Sequence, residues 1–274
     1  MNSKKSEARN SAIKGIRISC LVFVLFFSFF LVKTAYPLEK PPKKQPTQKI
    51  VIKKLSNGHY QLVVEGRPFI IKGVCYNPVP IGEGYDYDLS KDKFQPWKVD
   101  ARLMQRVGIN TIRLYNPGTD VENAKKIIDY FYRQYGIRTI IGHWLGFWEG
   151  SSVSYGDREF RDRIKKEVIE MVKNFKDQPG ILMWVLGNEN NFSFGPQKLN
   201  PWTTPELEKI NDPYQKRIQQ ARIYYSFVNE LASQIKAIDK IHPVALGNGG
   251  MNGLEVAAEV CPDIDLLGIP IRPS

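Results

Sequence analysis

Between residues 69 and 271 one pattern recurs: a short run of apolar, often β-branched residues, then a stretch whose apolar positions fall three and four apart. The runs are FIIKGVCY (69–76), INTIRLY (109–115), RTIIGHWL (138–145), ILMWVLGNE (181–189), HPVALGNG (242–249) and DLLGIPI (265–271). Runs that are apolar without polar alternation predict strands of a parallel sheet buried on both faces. Between them, VENAKKIIDYFYRQYG sets Ala124, Ile127, Ile128 and Phe131 on one helical face, and DREFRDRIKKEVIEMVKNF does the same with Phe160, Ile164, Val168, Met171 and Phe175. A third, longer helix is predicted from Tyr214 to Ile238. Ahead of the repeat, IVIKKL and YQLVVEG flank the turn residues Ser56-Asn57-Gly58-His59 and predict a hairpin. Strand and helix in alternation mean βαβ crossovers, hence an open doubly wound sheet or a closed barrel. No GxGxxG follows the first strand and no GxxxxGK[ST] occurs, so a nucleotide-binding open sheet lacks its phosphate loop.

The first 49 residues have a different pattern. Lys4, Lys5, Arg9, Lys14 and Arg17 precede the apolar run Ile18–Val32, the layout of a secretory signal. Both a cleaved signal peptide and an uncleaved hydrophobic anchor helix fit residues 1–35, and both put the rest of the chain outside the cytoplasm, facing the periplasm or exterior. Residues 36–49, with Pro37, Pro41, Pro42 and Pro46 among lysines, read as a semi-rigid linker. Residues 50–274 are then the globular part.

Charge changes the picture only through its location. The net +11 invites a nucleic-acid partner, but residues 1–49 hold ten Lys/Arg against two Asp/Glu. The rest carries 29 against 26, nearly neutral. A basic tail beside an apolar segment fits membrane orientation better than a phosphate-binding face, and no nucleic-acid partner is expected. Cys20, Cys75 and Cys261 have no CxxC spacing; buried free thiols are expected for Cys75 and Cys261. With three histidines in all, neither a metal site nor another cofactor is expected.

In a parallel barrel, chemistry gathers at the carboxyl ends of the strands. Those ends supply Tyr76, Asn77, Arg113, Tyr115, His143, Trp144, Trp148, Glu149, Asn188, Glu189, Asn190, Asn248 and Asp265. Amides and carboxylates that bond hydroxyls, among aromatic rings that stack on pyranose faces, suit a sugar. Glu189 ends the strongly apolar strand Trp184-Val185-Leu186-Gly187-Asn188-Glu189, a partly desolvated setting suited to a general acid. Asn188 beside it can hold the neighbouring sugar hydroxyl; the competing reading is that the pair only caps the next segment. Arg113 is expected in an ion pair with Glu189 or a neighbour, since an arginine inside a barrel is costly unpaired. His143, Trp144 and Trp148 resemble the wall of a sugar subsite, with His143 a binding residue at most. The loop 190–213 carries Phe192, Phe194 and Trp202 and reads either as a subsite or lid or as a solvated insertion.

FIIKGVCYNPVPIG, VGINTIRLYN, YGIRTIIGHW and ILMWVLGNENN together resemble the catalytic barrel of glycoside hydrolase clan A, especially family two, and are similar to fungal β-1,3-glucanosyltransferases. The resemblance runs from about residue 60 onwards. It implies a (β/α)8 TIM-type barrel, a polysaccharide or oligosaccharide substrate, and O-glycosyl hydrolase or transfer chemistry by a retaining route. It also implies Glu189 as general acid/base, Asn188 as partner of the substrate 2-hydroxyl and Arg113 as an active-site arginine. The second carboxylate of that clan, the nucleophile, ends the seventh strand, whereas six strand candidates precede Ser274. The expectation is therefore a barrel truncated after about six βα units, with little turnover of its own. Glu149 and Glu255 match the nucleophile position poorly. A non-catalytic carbohydrate-binding relic is the alternative.

Overall fold

The computed structural model describes residues 50–84, 86–148 and 153–269. The expected signal segment, the linker and Glu149 lie outside them. Among the described residues no helix is long and apolar enough to cross a membrane.

The described residues open with the expected hairpin. Strands β1 (Ile50–Lys54) and β2 (Tyr60–Val64) pair antiparallel with Ile50 opposite Val64, and a two-residue β3 (Arg67–Pro68) adds to β2. Six parallel strands come next, each beside its predecessor: β4 (Gly73–Cys75), β5 (Thr111–Leu114), β6 (Arg138–His143), β7 (Ile181–Leu186), β8 (Val244–Gly247) and β9 (Leu266–Gly268). The sheet is a curled half-barrel of six strands, edged by β4 and β9. Helices on one side carry the crossovers: α1 (Trp97–Arg106), α2 (Val121–Tyr135), α3 (Arg158–Phe175), the short α4 (Pro205–Glu208), α5 (Pro213–Ile238) and α6 (Leu254–Val260).

The helices form where predicted for the reasons predicted. Asp120, Asp157 and Asp212 cap α2, α3 and α5, each accepting a bond from a first-turn amide. On α2, Ala124, Ile127, Ile128 and Phe131 are all buried against the sheet. Three helices arise where none was predicted, α1, α4 and α6. All three are short, and α1 buries only Trp97 and Ala101.

The strand side chains divide between two cores. Ile112, Leu114, Ile141, Trp184, Leu186, Val244 and Leu246 point into the layer shared with the helices. Ile140, Leu182, Met183, Val185 and Ala245 form the second cluster with Ile50 and Val64 of the hairpin. The hairpin thus closes the half-barrel interior at the amino ends of its strands, where Arg138 at the start of β6 pairs with Glu65 at 2.7 Å. With that end shut, the interior opens at the carboxyl ends and along the sheet edges.

Candidate functional site

A cleft of about 500 Å³ occupies the interior of the half-barrel. Its floor is apolar, from Ile71, Ile140, Met183, Val185 and Leu266; at its carboxyl end it gathers Arg113, Tyr115, Asn188, Glu189 and Asn248. Glu189 is the acid among the described residues of this lining. The volume falls in the range of small-molecule sites, about 300–1,000 Å³.

The turn after β7 fixes the polar end. Gly187 donates its amide to His143 O on β6 at 2.9 Å, and Glu189 donates its own to Gly247 O on β8 at 3.0 Å. A side chain at Gly247 would meet Gly187 O at 2.6 Å and Arg113 Nη2 at 3.4 Å, so only glycine lets β8 close on the turn. Glu189 itself is left-handed, with φ 60° and ψ 22°. A non-glycine residue there costs on the order of 1–3 kcal/mol and persists only where its surroundings impose it.

Arg113 reaches across from β5 and donates Nη2 to Gly187 O and to Asn188 Oδ1, each at 3.3 Å. Its guanidinium carbon stands 4.7 Å from the centre of the Tyr115 ring. The expected ion pair is replaced by a carbonyl, an amide and an aromatic face. These offset the desolvation of the cation without spending a carboxylate. Tyr115 borders the cleft and also a side pocket of about 90 Å³ shared with Tyr76, Asn77, Tyr87 and Trp144. Burial, with a hydrogen bond to Cys75, pushes the Tyr115 hydroxyl up to about 12. Cys75 is exposed, not buried as expected, because the inner face of edge strand β4 opens on the cleft. Cys261 is half-buried, with Sγ 3.2 Å from Tyr225 O; burial raises its thiol to about 12.

The aromatic residues that follow the strand ends separate between a side pocket and the rim. The Trp144 ring lies 6.3 Å from Tyr115 at the side pocket, and its indole N–H has no protein partner among the described residues. Trp148 is 40% exposed at the rim and donates Nε1 to Asn188 O at 2.8 Å, steadying the turn. Tyr76 contributes a ring wall to the side pocket, while its hydroxyl donates to Asp100 of α1 at 2.7 Å. Burial and that bond push it well above the usual tyrosine range.

His143 does not reach the cleft. It shares the face of β6 that carries Ile141, buried beneath α3, where Nδ1 accepts the Leu145 amide at 3.1 Å. Nε2 lies 3.6 Å from Glu167, but that carboxylate is held by Arg163 at 2.7 Å. Burial therefore prevails and lowers the imidazole to about 4. The unfolded imidazole takes its proton near 6.5 and the folded one only near 4, so stability should fall as pH drops through that window. A loss of about 3 kcal/mol is expected between those limits. The denaturation midpoint of the full chain at pH 7 and pH 4.5 checks this, and His143→Gln should flatten the slope.

Other expected residues are also placed elsewhere. Asp265 sits at the amino end of β9, where Oδ2 accepts the Val244 amide at 2.9 Å and Oδ1 pairs with Lys236. It is structural and at the end opposite the site. Glu255 is on α6 outside the cleft lining. In the loop 190–213, Phe194 and Trp202 are buried rather than offered to solvent. They pack with Tyr155, Tyr224 and Tyr225 in an aromatic cluster, with Trp202 5.7 Å from Tyr155 and Phe194 5.8 Å from Tyr224.

Comparison with known proteins bears on this geometry. No protein-family profile matches the chain. An endo-1,4-beta-mannanase from Rhizomucor miehei superimposes on 78% of this chain and 70% of its own, with TM-score 0.56 at 17% identity. A beta-glucuronidase from Bacteroides uniformis matches 77% of this chain and 22% of its own, with TM-score 0.54 at 16% identity. The fold is that of glycoside hydrolase barrels. In sequence, the chain is 27% identical over 157 residues to a probable 1,3-beta-glucanosyltransferase of Saccharomyces cerevisiae. That match covers 56% of this chain and 27% of the relative's length. The resemblance drawn from the strand motifs thus agrees with both comparisons.

Sequence reasoning passed over Asn191 and reduced Asn190 to one name among the strand ends. Both are wholly buried and bonded through their side chains. The available signal was the run Asn188-Glu189-Asn190-Asn191: consecutive side-chain amides after an apolar strand have no solvated turn to fill when the strand ends in a core.

Proposed function

We propose that this chain carries the acid/base half of a retaining β-glycoside hydrolase or transglycosidase acting on β-glucan or a related polysaccharide. The observation that carries the proposal is the carboxyl-end cluster of Glu189, Asn188 and Arg113 over an open cleft, on a left-handed turn bonded to β6 and β8. In this reading Glu189 protonates the departing glycosidic oxygen and then takes a proton from water or an acceptor sugar. Asn188, oriented by Arg113, bonds the 2-hydroxyl as charge develops at the anomeric carbon. Tyr115, Trp144, Tyr76 and Trp148 supply the ring faces and edges beside the sugar, and His143 supports β6 from behind. A retaining reaction takes a second carboxylate about 5–5.5 Å from the first, as nucleophile. We place that group outside the described residues. No metal or cofactor enters the reaction. Support for β-glucan comes from the 27% identity to the yeast glucanosyltransferase.

The same proposal takes residues 1–35 as signal peptide or signal anchor and 36–49 as a Pro/Lys-rich linker, with residues 50–274 as the barrel outside the cytoplasm. Its support is the basic flank before Ile18–Val32.

A second reading, a carbohydrate-binding barrel without turnover, draws on one observation: Glu189 stands as a single acid among the described lining residues of the cleft. Incubating a form of the protein that includes the second carboxylate with β-1,3- and β-1,4-linked oligosaccharides, and measuring both product release and binding, separates the two. Shortened or elongated products support the enzyme. Binding without products supports the second reading, and neither would refute both.

A further inference from the structure

We infer that Asn190 and Asn191 are positioning residues that hold Glu189 in its left-handed conformation, and so set how its carboxyl enters the cleft. The functional meaning of this clamp rests on the role proposed for Glu189; the clamp itself is a matter of geometry.

Each amide has two N–H donors and one acceptor oxygen to place, and burial makes an unplaced one costly. Asn190, fully buried, places all of them. Its Nδ2 donates to Trp144 O at 2.9 Å and to Tyr155 Oη at 2.8 Å, and its Oδ1 accepts the Asn188 amide at 2.7 Å. Tyr155 passes the connection on by donating to Leu145 O at 3.1 Å. Asn190 thus ties the amide preceding Glu189 to the loop after β6. That loop holds a left-handed residue of its own, Leu145 with φ 53°.

Asn191 makes the matching connection to the loop after β8. Its Oδ1 accepts the Gly249 amide at 2.7 Å, and its Nδ2 donates to Gly249 O at 2.9 Å. The pairing is reciprocal, like two rungs of a sheet. Gly249 is pressed close as well: a Cβ there would fall 2.5 Å from the Phe192 ring and 2.9 Å from Glu189 Cβ. Glu189 is therefore followed by two buried side-chain amides, each fastened to a different strand-end loop, while its own backbone amide is bonded to Gly247 O. A residue so pinned cannot relax to negative φ without breaking several buried bonds. The side chain then leaves the backbone in one direction, towards the cleft that lies between β5, β7 and β8. For proton transfer within hydrogen-bond reach, a fixed direction shortens the search for the glycosidic oxygen.

The test compares two substitutions of equal chemistry and unequal tolerance for the left-handed region. Asparagine enters that region several times more readily than most residues. In the full chain with both clamps intact, Glu189→Asn should melt about 2–4 °C above Glu189→Gln, the shift expected for a unit of this size. In an Asn190→Asp/Asn191→Asp background, which keeps shape but removes the donors, residue 189 is free to relax and the gap should close. Should that background not fold, Asn191→Ser replaces it, with the gap expected to narrow. Equal midpoints with the clamps intact, or a gap unchanged when they are removed, would overturn the clamp. With Glu189 present, Asn191→Asp should lower kcat about tenfold and shift the alkaline limb of the pH profile of kcat/KM, where the proton donor ionises, with KM little changed. If Glu189→Gln leaves turnover intact, the catalytic reading fails, and the melting comparison still decides the clamp.

Discussion

In a form of the protein that includes the second carboxylate, Glu189→Gln is expected to lower kcat on a β-glucan oligosaccharide by about 10²–10⁴-fold while leaving binding within about twofold. The amide keeps the size of the side chain and its place on the turn, so the fold and the contacts of Asn188, Arg113 and Tyr115 should survive. What it cannot do is deliver a proton to a departing oxygen and later recover one. A loss confined to kcat would mark an interaction made in the transition state; a loss confined to KM would mean that Glu189 only binds. Steady-state rates with titrated oligosaccharide, alongside calorimetric binding to the same ligand, distinguish the two. Arg113→Lys should have a smaller effect of the same sign, since a lysine cannot reach Gly187 O and Asn188 Oδ1 while also stacking on Tyr115.

Trp184→Ala should destabilise the chain by about 3–5 kcal/mol, measured as a fall in unfolding free energy in urea. Trp184 is fully buried between the sheet and the helices, and its Nε1 donates to Asp239 Oδ2 at 2.8 Å. The same oxygen is 2.8 Å from His242 Nδ1, and Asp239 Oδ1 accepts the Ile241 and His242 amides. Asp239 thereby closes the carboxyl end of α5 onto β7 and β8. These bonds hold its carboxyl below the ordinary range despite burial. Trp184→Phe separates the two contributions: it keeps most of the packing and removes the donor, and about 1–3 kcal/mol is expected. The Asp239 contribution should vanish as pH falls below the ordinary carboxylate range, because a depressed acid stabilises only while ionised.

The strands and the long helices were legible because burial writes their sequence. On α2 and α3 the apolar residues recur at helical spacing, and their buried faces are those predicted, except that Phe160 is only partly buried. The six parallel strands likewise follow from their unbroken apolar runs; their sequential order, which separates a barrel from a doubly wound sheet, was implied by the family resemblance alone. Those runs are also why His143 was misplaced. A strand buried on both faces shows no alternation, so nothing in RTIIGHWL says whether the face shared by Ile141 and His143 or the one with Ile140 turns to the cleft. Asp265 opens the run 265–271, so its place at the amino end of β9, just before Leu266, was already legible and its grouping with the carboxyl ends was an error of reading. Phe194 and Trp202 were read as surface aromatics because their partners, Tyr224 and Tyr225, lie on a helix whose apolar face is spread around its axis rather than confined to a stripe.

Of the site itself, Glu189, Asn188, Arg113 and Tyr115 come together as the strand-end rule requires. The left-handed turn that presents Glu189 was not legible, since it comes from bonds to two loops remote in sequence.

The central claim, that Glu189 is the proton donor to a leaving group, is tested most directly by Glu189→Ala in the full chain with two substrates: an unactivated β-glucan oligosaccharide and an aryl β-glucoside whose phenol leaves without protonation. The proposal predicts a loss in kcat/KM, which reports the first, bond-breaking step, of about 10²-fold or more on the first and a much smaller loss on the second. Equal losses on both substrates, or none on either, would contradict it.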